Sequence, residues 1–435
     1  AYFSSGKTDI WDWHIYAELP QYPGLLRDHL APRVRRDPKP YVTGEDIDCD
    51  TLRDPEALLK GLSGPGGSAW WVNVDLLRTF RDRINGIYGQ DVFGELVKRQ
   101  NRFSLFVRKA TAEQMRSVEE TDGYVITALR DNRLTRPGFY DDLGRPKWTG
   151  ADWTPFNGDS ALLLSADREN LCWQEGEELH LEVKASVFGE PLSGSYTLAL
   201  QGPEGELARA SGSFRGEAGG IAPAGILTAK APHLEKGETF TLTARIEADG
   251  GRVITNRWHI FLFPKTEPAE NAARYGADGL KALVPREYAG PEDRLIVTDR
   301  LDSVMEEALE QGCTVIYFAA EDDDALPRRS ALFWRENAHY IPAGGLMGSF
   351  PLGPDRIPEH QFIGLASSRP FDVSGDRDAL PVCWQFNCRE GLAAELCSLC
   401  ETRRGRGRLI ACAFHTEAPA AGPYLAEQLI REAAK

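Results

Sequence analysis

One stretch of this chain leaves little freedom of fold. Within residues 158–266, apolar and polar residues alternate with a period of two. The runs are Glu178-Leu179-His180-Leu181-Glu182-Val183-Lys184, Tyr196-Thr197-Leu198-Ala199-Leu200 and Thr239-Phe240-Thr241-Leu242-Thr243-Ala244. A period of two puts one apolar face on an extended strand and cannot serve a helix. Glycine-rich turns divide the strands: Gly202-Pro203-Glu204-Gly205, Ala218-Gly219-Gly220 and Asp249-Gly250-Gly251. A last strand runs from Val253 to Phe263 and stops at Pro264. The expectation is an antiparallel β-sandwich, and nothing in it resembles a catalytic cluster.

The flanking stretches read differently. In residues 1–157, Pro40-Tyr41-Val42-Thr43 and Gly123-Tyr124-Val125-Ile126-Thr127 are short buried strands. Between them, Asp54 caps a helix whose first position is Pro55, a residue suited to a helix start. From Val92 to Val118, Leu96, Val97, Phe103, Phe106 and Val107 recur at helical intervals. In residues 267–435, Leu295 to Thr298, Thr314 to Phe318 and Leu409 to Phe414 read as strands, with a terminal helix from Tyr424. Strands alternating with helices indicate parallel α/β sheets. The expected fold is therefore multidomain α/β plus all-β. An α/β region covers 1–157, an immunoglobulin-like β-sandwich covers 158–266, and a small open parallel α/β domain covers 267–435.

Charge narrows the partners. With 435 residues and a formal net charge of -15, the chain would repel phosphates, which argues against nucleic acid and anionic membranes. No apolar run approaches the ~20 residues of a membrane span. Eight cysteines are too few for a disulfide scaffold, and several lie in apolar segments. They read as reduced thiols of a cytoplasmic protein.

The strongest site signal is Gly44-Glu45 at the end of a buried strand. In parallel α/β folds chemistry sits at the carboxyl ends of strands. A Glu there suits a nucleophile or an acid-base group; the alternative is a Glu satisfied by a neighbouring Arg. Trp11-Asp12-Trp13-His14, with Tyr16 beyond, clusters rings that stack on sugars with groups that bind hydroxyls. The alternative is core Trp with a structural His. Trp70-Trp71, after Gly64-Pro65-Gly66-Gly67, carries the same choice; that glycine stretch lacks the Lys-Ser/Thr of a phosphate loop. Cys383, Cys388, Cys397 and Cys400 invite a zinc site, but the second pair lies in a helical pattern with Leu392, Leu396 and Leu399. Arg403 to Arg408 reads as a solvated turn between that helix and a strand. No Gly-x-Cys/Ser-x-Gly elbow occurs in the third domain, which disfavours a hydrolase centred there.

Pro40-Tyr41-Val42-Thr43-Gly44-Glu45-Asp46 resembles the seventh barrel strand of the glycoside hydrolase family 2 group, the β-galactosidase, β-glucuronidase and β-mannosidase relatives. Asp9 to Tyr16 is similar to their sixth strand. Gly123 to Thr127, followed by Asp141-Asp142-Leu143-Gly144-Arg145-Pro146-Lys147, is similar to their eighth. The resemblance implies that 1–157 is the C-terminal part of a (β/α)8 TIM barrel. It also implies that 267–435 is an α/β domain like a class I glutamine amidotransferase without its nucleophile.

The resemblance further implies a retaining β-glycosidase acting on a carbohydrate substrate, with Glu45 as catalytic nucleophile and no metal or organic cofactor. His14 would bind a sugar hydroxyl and Tyr16 would orient Glu45. Trp13, Trp71, Arg130 and Asp131 complete the expected substrate contacts. The family's acid-base Glu follows an Asn at its fourth strand, and no Asn-Glu pair occurs in this sequence. The chain opens at Ala1 without Met, just before the sixth-strand motif. The expectation is that a second polypeptide or an N-terminal portion completes the barrel. A non-catalytic carbohydrate-binding or structural subunit is the alternative.

Overall fold

The structure is a computed structural model that describes residues 8–62, 74–89, 91–132, 135–388 and 395–435. It is a mixed α/β and β architecture built from four sheets. The first sheet has three parallel strands in the order β1 (Trp11–Asp12), β2 (Tyr41–Asp46) and β3 (Gly123–Ile126). Tyr41 and Thr43 of β2 point inward; the Thr43 hydroxyl meets the Met115 sulfur at 3.7 Å. Ile15, Tyr22, Leu26, Met115, Trp148, Trp153 and Phe156 fill the core beneath this sheet.

The period-two stretch forms a three-stranded and a five-stranded sheet around one shared apolar core. Its final strand is Val253–Phe263. Beyond it, an eight-stranded sheet combines parallel and antiparallel pairs. Ala273–Tyr275, Leu295–Thr298, Thr314–Phe318 and Gly407–Cys412 are parallel neighbours. Leu396–Arg404, Leu380–Asn387 and Asn337–Tyr340 extend the sheet in antiparallel fashion.

That extension corrects two expectations. The sheet is not purely parallel, and Cys397 and Cys400 lie on a strand instead of a helix. Leu396 to Cys400 are all buried, so both faces of this strand are covered. A strand covered on both faces shows no alternation and mimics a helical run. Arg403 to Arg408 is accordingly a hairpin turn between two strands.

The long helix Val92–Arg116 ties the sheets together. Its Glu113 accepts hydrogen bonds from Asn256 Nδ2 at 2.6 Å and Trp258 Nε1 at 2.8 Å, both on the last sandwich strand. On another side, Gln100 donates to the Asn337 carbonyl at 3.2 Å, and Phe103 stacks on Trp334. The helix predicted from Asp54 is Pro55–Leu62, and the Asp54 carboxylate accepts from the backbone N–H groups of Glu56 and Ala57 at 2.9 Å. No helix among the described residues is long and apolar enough to cross a membrane.

Candidate active site

Strand β2 determines where Glu45 points. Strict alternation would bury residue 45 beside Tyr41 and Thr43. Instead the register with β3 slips between Thr43 and Asp46: three residues of β2 advance while β3 advances two, from Tyr124 to Ile126. This is a β-bulge, which re-aims the side chains that follow it. Asp46 takes the buried face and is fully covered, while Glu45 turns outward with its side chain 52% exposed. Gly44 makes the bulge feasible. A Cβ there would lie 2.7 Å from Asp12 Oδ1 and 2.9 Å from His14 Nε2. The Gly44 N–H instead donates to Asp12 Oδ1 at 2.8 Å.

Three predicted residues meet at this point. The Tyr16 hydroxyl donates to Glu45 Oε2. His14 Nδ1 stands 3.6 Å from the same oxygen, and its Nε2 is 3.3 Å from Asp12 Oδ2. Asp12, His14, Glu45 and Tyr16 thus form a continuous polar row along the ends of β1 and β2. The hydrogen bond to the Glu45 carboxylate pushes the Tyr16 phenol up to about 12, with partial burial adding to the shift. Tyr16 therefore stays a proton donor at neutral pH and can hold the Glu45 carboxyl through that bond.

The other predicted contacts are placed differently. Trp13 is half-buried, with the Arg33 guanidinium 5.5 Å from its ring centre. Arg130 is exposed and donates to the Asp142 carbonyl. Asp131 is buried in an ion pair with Lys147 at 2.6 Å and also accepts from the Gly138 N–H at 2.9 Å. Lys147 further donates to Thr51 Oγ1 and the Arg136 carbonyl, so this group is knotted into the chain. Trp71 and the Gly64 to Gly67 stretch lie outside the described residues.

Arg335 is a functional neighbour that local sequence patterns do not announce. Its guanidinium lies 5.0 Å from the Tyr16 ring centre, a cation–π approach, and pairs with Asp48. The preceding backbone is docked by Glu18, whose carboxylate accepts from Phe333 N at 3.1 Å and Trp334 N at 2.8 Å. A loop more than 300 positions downstream, at residues 333–335, therefore supports the residue that touches Glu45. Nothing near Arg335 in the sequence forms a motif with Tyr16, so only the tertiary fold reveals it.

Two cavities of about 550 Å³ run along the long helix, one lined by Arg102, Lys109, Trp258 and His259, the other by Arg99, Lys147 and Arg356. None of the Glu45 row lines either one. The row lies at strand ends, and its chemistry marks it. Among the described residues, no group of three or more His, Cys, Asp or Glu is arranged to hold a metal ion.

No family model and no curated protein matches this chain. Solved structures match parts of it. Spo0M, a sporulation control protein from Bacillus subtilis, is 15% identical over 26% of this chain and 51% of its own, at a TM-score of 0.19. A bacterial adhesin from Mobiluncus mulieris is 10% identical over 29% and 65%, at 0.19. A family 123 glycoside hydrolase from Clostridium perfringens, which hydrolyses glycolipid glycans, is 13% identical over 26% and 30%, at 0.18. The chain thus spans less than two thirds of each of these, and likeness at this level carries no argument about function.

Proposed function

We propose that this chain carries the nucleophile-bearing part of a retaining β-glycosidase, with Glu45 as the nucleophile. One observation carries the reading: the Glu45 carboxylate, turned outward by a bulge at the end of a parallel strand, accepts a hydrogen bond from the Tyr16 hydroxyl. Glu45 attacks the anomeric carbon, and the bond to the leaving oxygen breaks as that oxygen takes a proton from a second carboxyl ~5 Å away. Water, deprotonated by the same second group, then releases the sugar and restores Glu45. Tyr16 fixes the attacking oxygen. His14, oriented by Asp12, donates to a sugar hydroxyl. Trp13 borders the sugar, and Arg130 and Asp131 act through the turn beside the site.

This reading makes the three parallel strands the C-terminal part of a (β/α)8 barrel and the sandwich immunoglobulin-like. It makes the last region a nucleophile-free, amidotransferase-like domain and the buried thiols those of a cytoplasmic protein. It assigns the acid-base Glu to a second polypeptide or an N-terminal portion. Two observations support that assignment. The sequence has no Asn-Glu pair. Among the described residues β1 and β3 each pair on one side only, with Ile10, Val125 and Leu129 exposed in or beside them. Open edges of this kind are sites for a further strand.

An activated 2-fluoro glycoside tests the proposal, because its leaving group departs without an acid. A panel of β-galactosyl, β-glucosyl and β-mannosyl reagents should label one peptide, the one containing Glu45, and should not label Glu45→Gln. A label elsewhere, or none with any sugar, sinks the assignment. The second reading, a non-catalytic carbohydrate-binding subunit, is favoured by the absent Asn-Glu pair. It predicts saturable sugar binding without a covalent label.

A further inference from the structure

Behind the Glu45 row lies a second polar group. Ile15 separates His14 from Tyr16, and Asp46 follows Glu45, so each faces the opposite side from the reactive residues. The Tyr22 hydroxyl meets both: it is 2.6 Å from the Ile15 carbonyl oxygen and in contact with Asp46 Oδ1. All three groups are buried. Asp46 Oδ1 also accepts the Ile47 N–H at 2.7 Å, and Asp46 Oδ2 is buried without a hydrogen-bond partner. Ile47 itself has a φ of 55°, a left-handed conformation that a β-branched residue adopts only when its neighbours impose it.

Proton counting decides how this triangle is wired. Tyr22 owns one O–H hydrogen, yet its oxygen touches two acceptors. If Asp46 were a carboxylate, one acceptor would go unserved, and a charged Oδ2 would sit buried with nothing to bond. A proton on Asp46 Oδ1 serves both acceptors and leaves the buried Oδ2 an uncharged carbonyl oxygen. Asp46 then donates to Tyr22, and Tyr22 donates to the Ile15 carbonyl. The charged and titratable groups facing Asp46 are Tyr22, Tyr41, Asp48 and Arg335. The one cation among them, Arg335, is already engaged by Asp48.

We propose that Asp46 is a positioning residue held as the neutral acid, and that the chain Asp46–Tyr22–Ile15 staples the segment bearing His14 and Tyr16 to the strand bearing Glu45. Burial independently pushes the Asp46 carboxyl up to about 7, in agreement with this wiring. The neutral Asp46 also places no like charge beside Glu45 when that carboxyl attacks the sugar. That last consequence rests on the glycosidase reading; the staple itself does not.

Infrared difference spectroscopy tests the protonation directly. Wild type minus Asp46→Asn should show a protonated-carboxyl carbonyl band at pH 5 that fades above about pH 7. The positioning role is read from Tyr16, isolated by subtracting the alkaline absorbance titration of Tyr16→Phe. Tyr22→Phe or Asp46→Ala should strengthen Tyr16 as an acid by roughly tenfold as it loosens from Glu45. Asp46→Asn, whose amide N–H can still donate to Tyr22, should leave it unchanged. No band at pH 5, or identical Tyr16 titrations in Asp46→Ala and Asp46→Asn with both cooperatively folded, overturns the proposal. Neither readout uses turnover, so a failed fluoro-sugar label would count against the glycosidase reading alone.

Discussion

Two carboxylates follow the ends of neighbouring parallel strands, Glu45 on β2 and Asp131 beyond β3, and their surroundings set them apart. Asp131 is 2% exposed at its side chain and Lys147 is 5% exposed, and besides each other they bond the Gly138 N–H, Thr51 Oγ1 and the Arg136 carbonyl. Glu45 is half-exposed and meets a phenol and an imidazole. A buried, fully bonded ion pair resists rearrangement, because breaking it strands a charge away from water. An outward carboxyl bonded to one phenol keeps a free face for a reactant. Position at a strand end is common to both; the partner decides which is structural and which is available.

Substitutions can break this contrast, and the largest effect belongs to Glu45. On the glycosidase reading, Glu45→Gln should lower glycoside hydrolysis by the chain together with its proposed completing segment on the order of 10⁵-fold, with urea unfolding essentially unchanged. Lys147→Ala should do the reverse. It leaves Asp131 buried and unpaired and should cost about 3–5 kcal/mol in urea unfolding, whereas fluoro-sugar labelling of the surviving folded fraction persists. Tyr16→Phe removes one bond to a charged oxygen and should slow labelling about 10- to 100-fold, with little change in stability because Tyr16 is 54% exposed.

The smallest effect is a slope. Asp46 ionises near 3.8 when unfolded and near 7 when folded. Between those values the native chain holds more protons than the unfolded one, so this group's contribution to stability falls as pH rises from about 4 to about 7. Asp46→Asn should flatten the pH dependence of unfolding in that window relative to wild type. An unchanged difference between the two proteins across the window would rule out a neutral Asp46.

Much of this was legible in the sequence where a period is imposed by one-sided burial. The sandwich strands and the long helix follow their patterns closely, and Val253–Phe263 has the predicted ends. The site's residues were legible because β2 is a short buried run ending in Gly-Glu. The bulge was not, although Gly44 is its mark, since an extra residue in one strand leaves composition untouched. The helical stretch across residues 22–36 was hidden by Pro23, in its first turn, and by Pro32, which directly follows the π-helical turns Leu25–Leu30 inside the run. The Leu396–Arg404 strand was misread for want of a solvent face. Arg335 carries no local signal because its meaning comes from Tyr16 and Asp48, brought to it only by the folded chain.

The loop at 333–335 has a consequence for the order of events during synthesis. Glu18 and Asp48 wait for partners that leave the ribosome about 316 and 287 residues later. Until then Tyr16 lacks the guanidinium over its ring, and the strand ends that hold Glu45 lack the backbone that docks them. The surroundings of Glu45 are therefore completed only after residues 333–335 have been made, well after Glu45 itself.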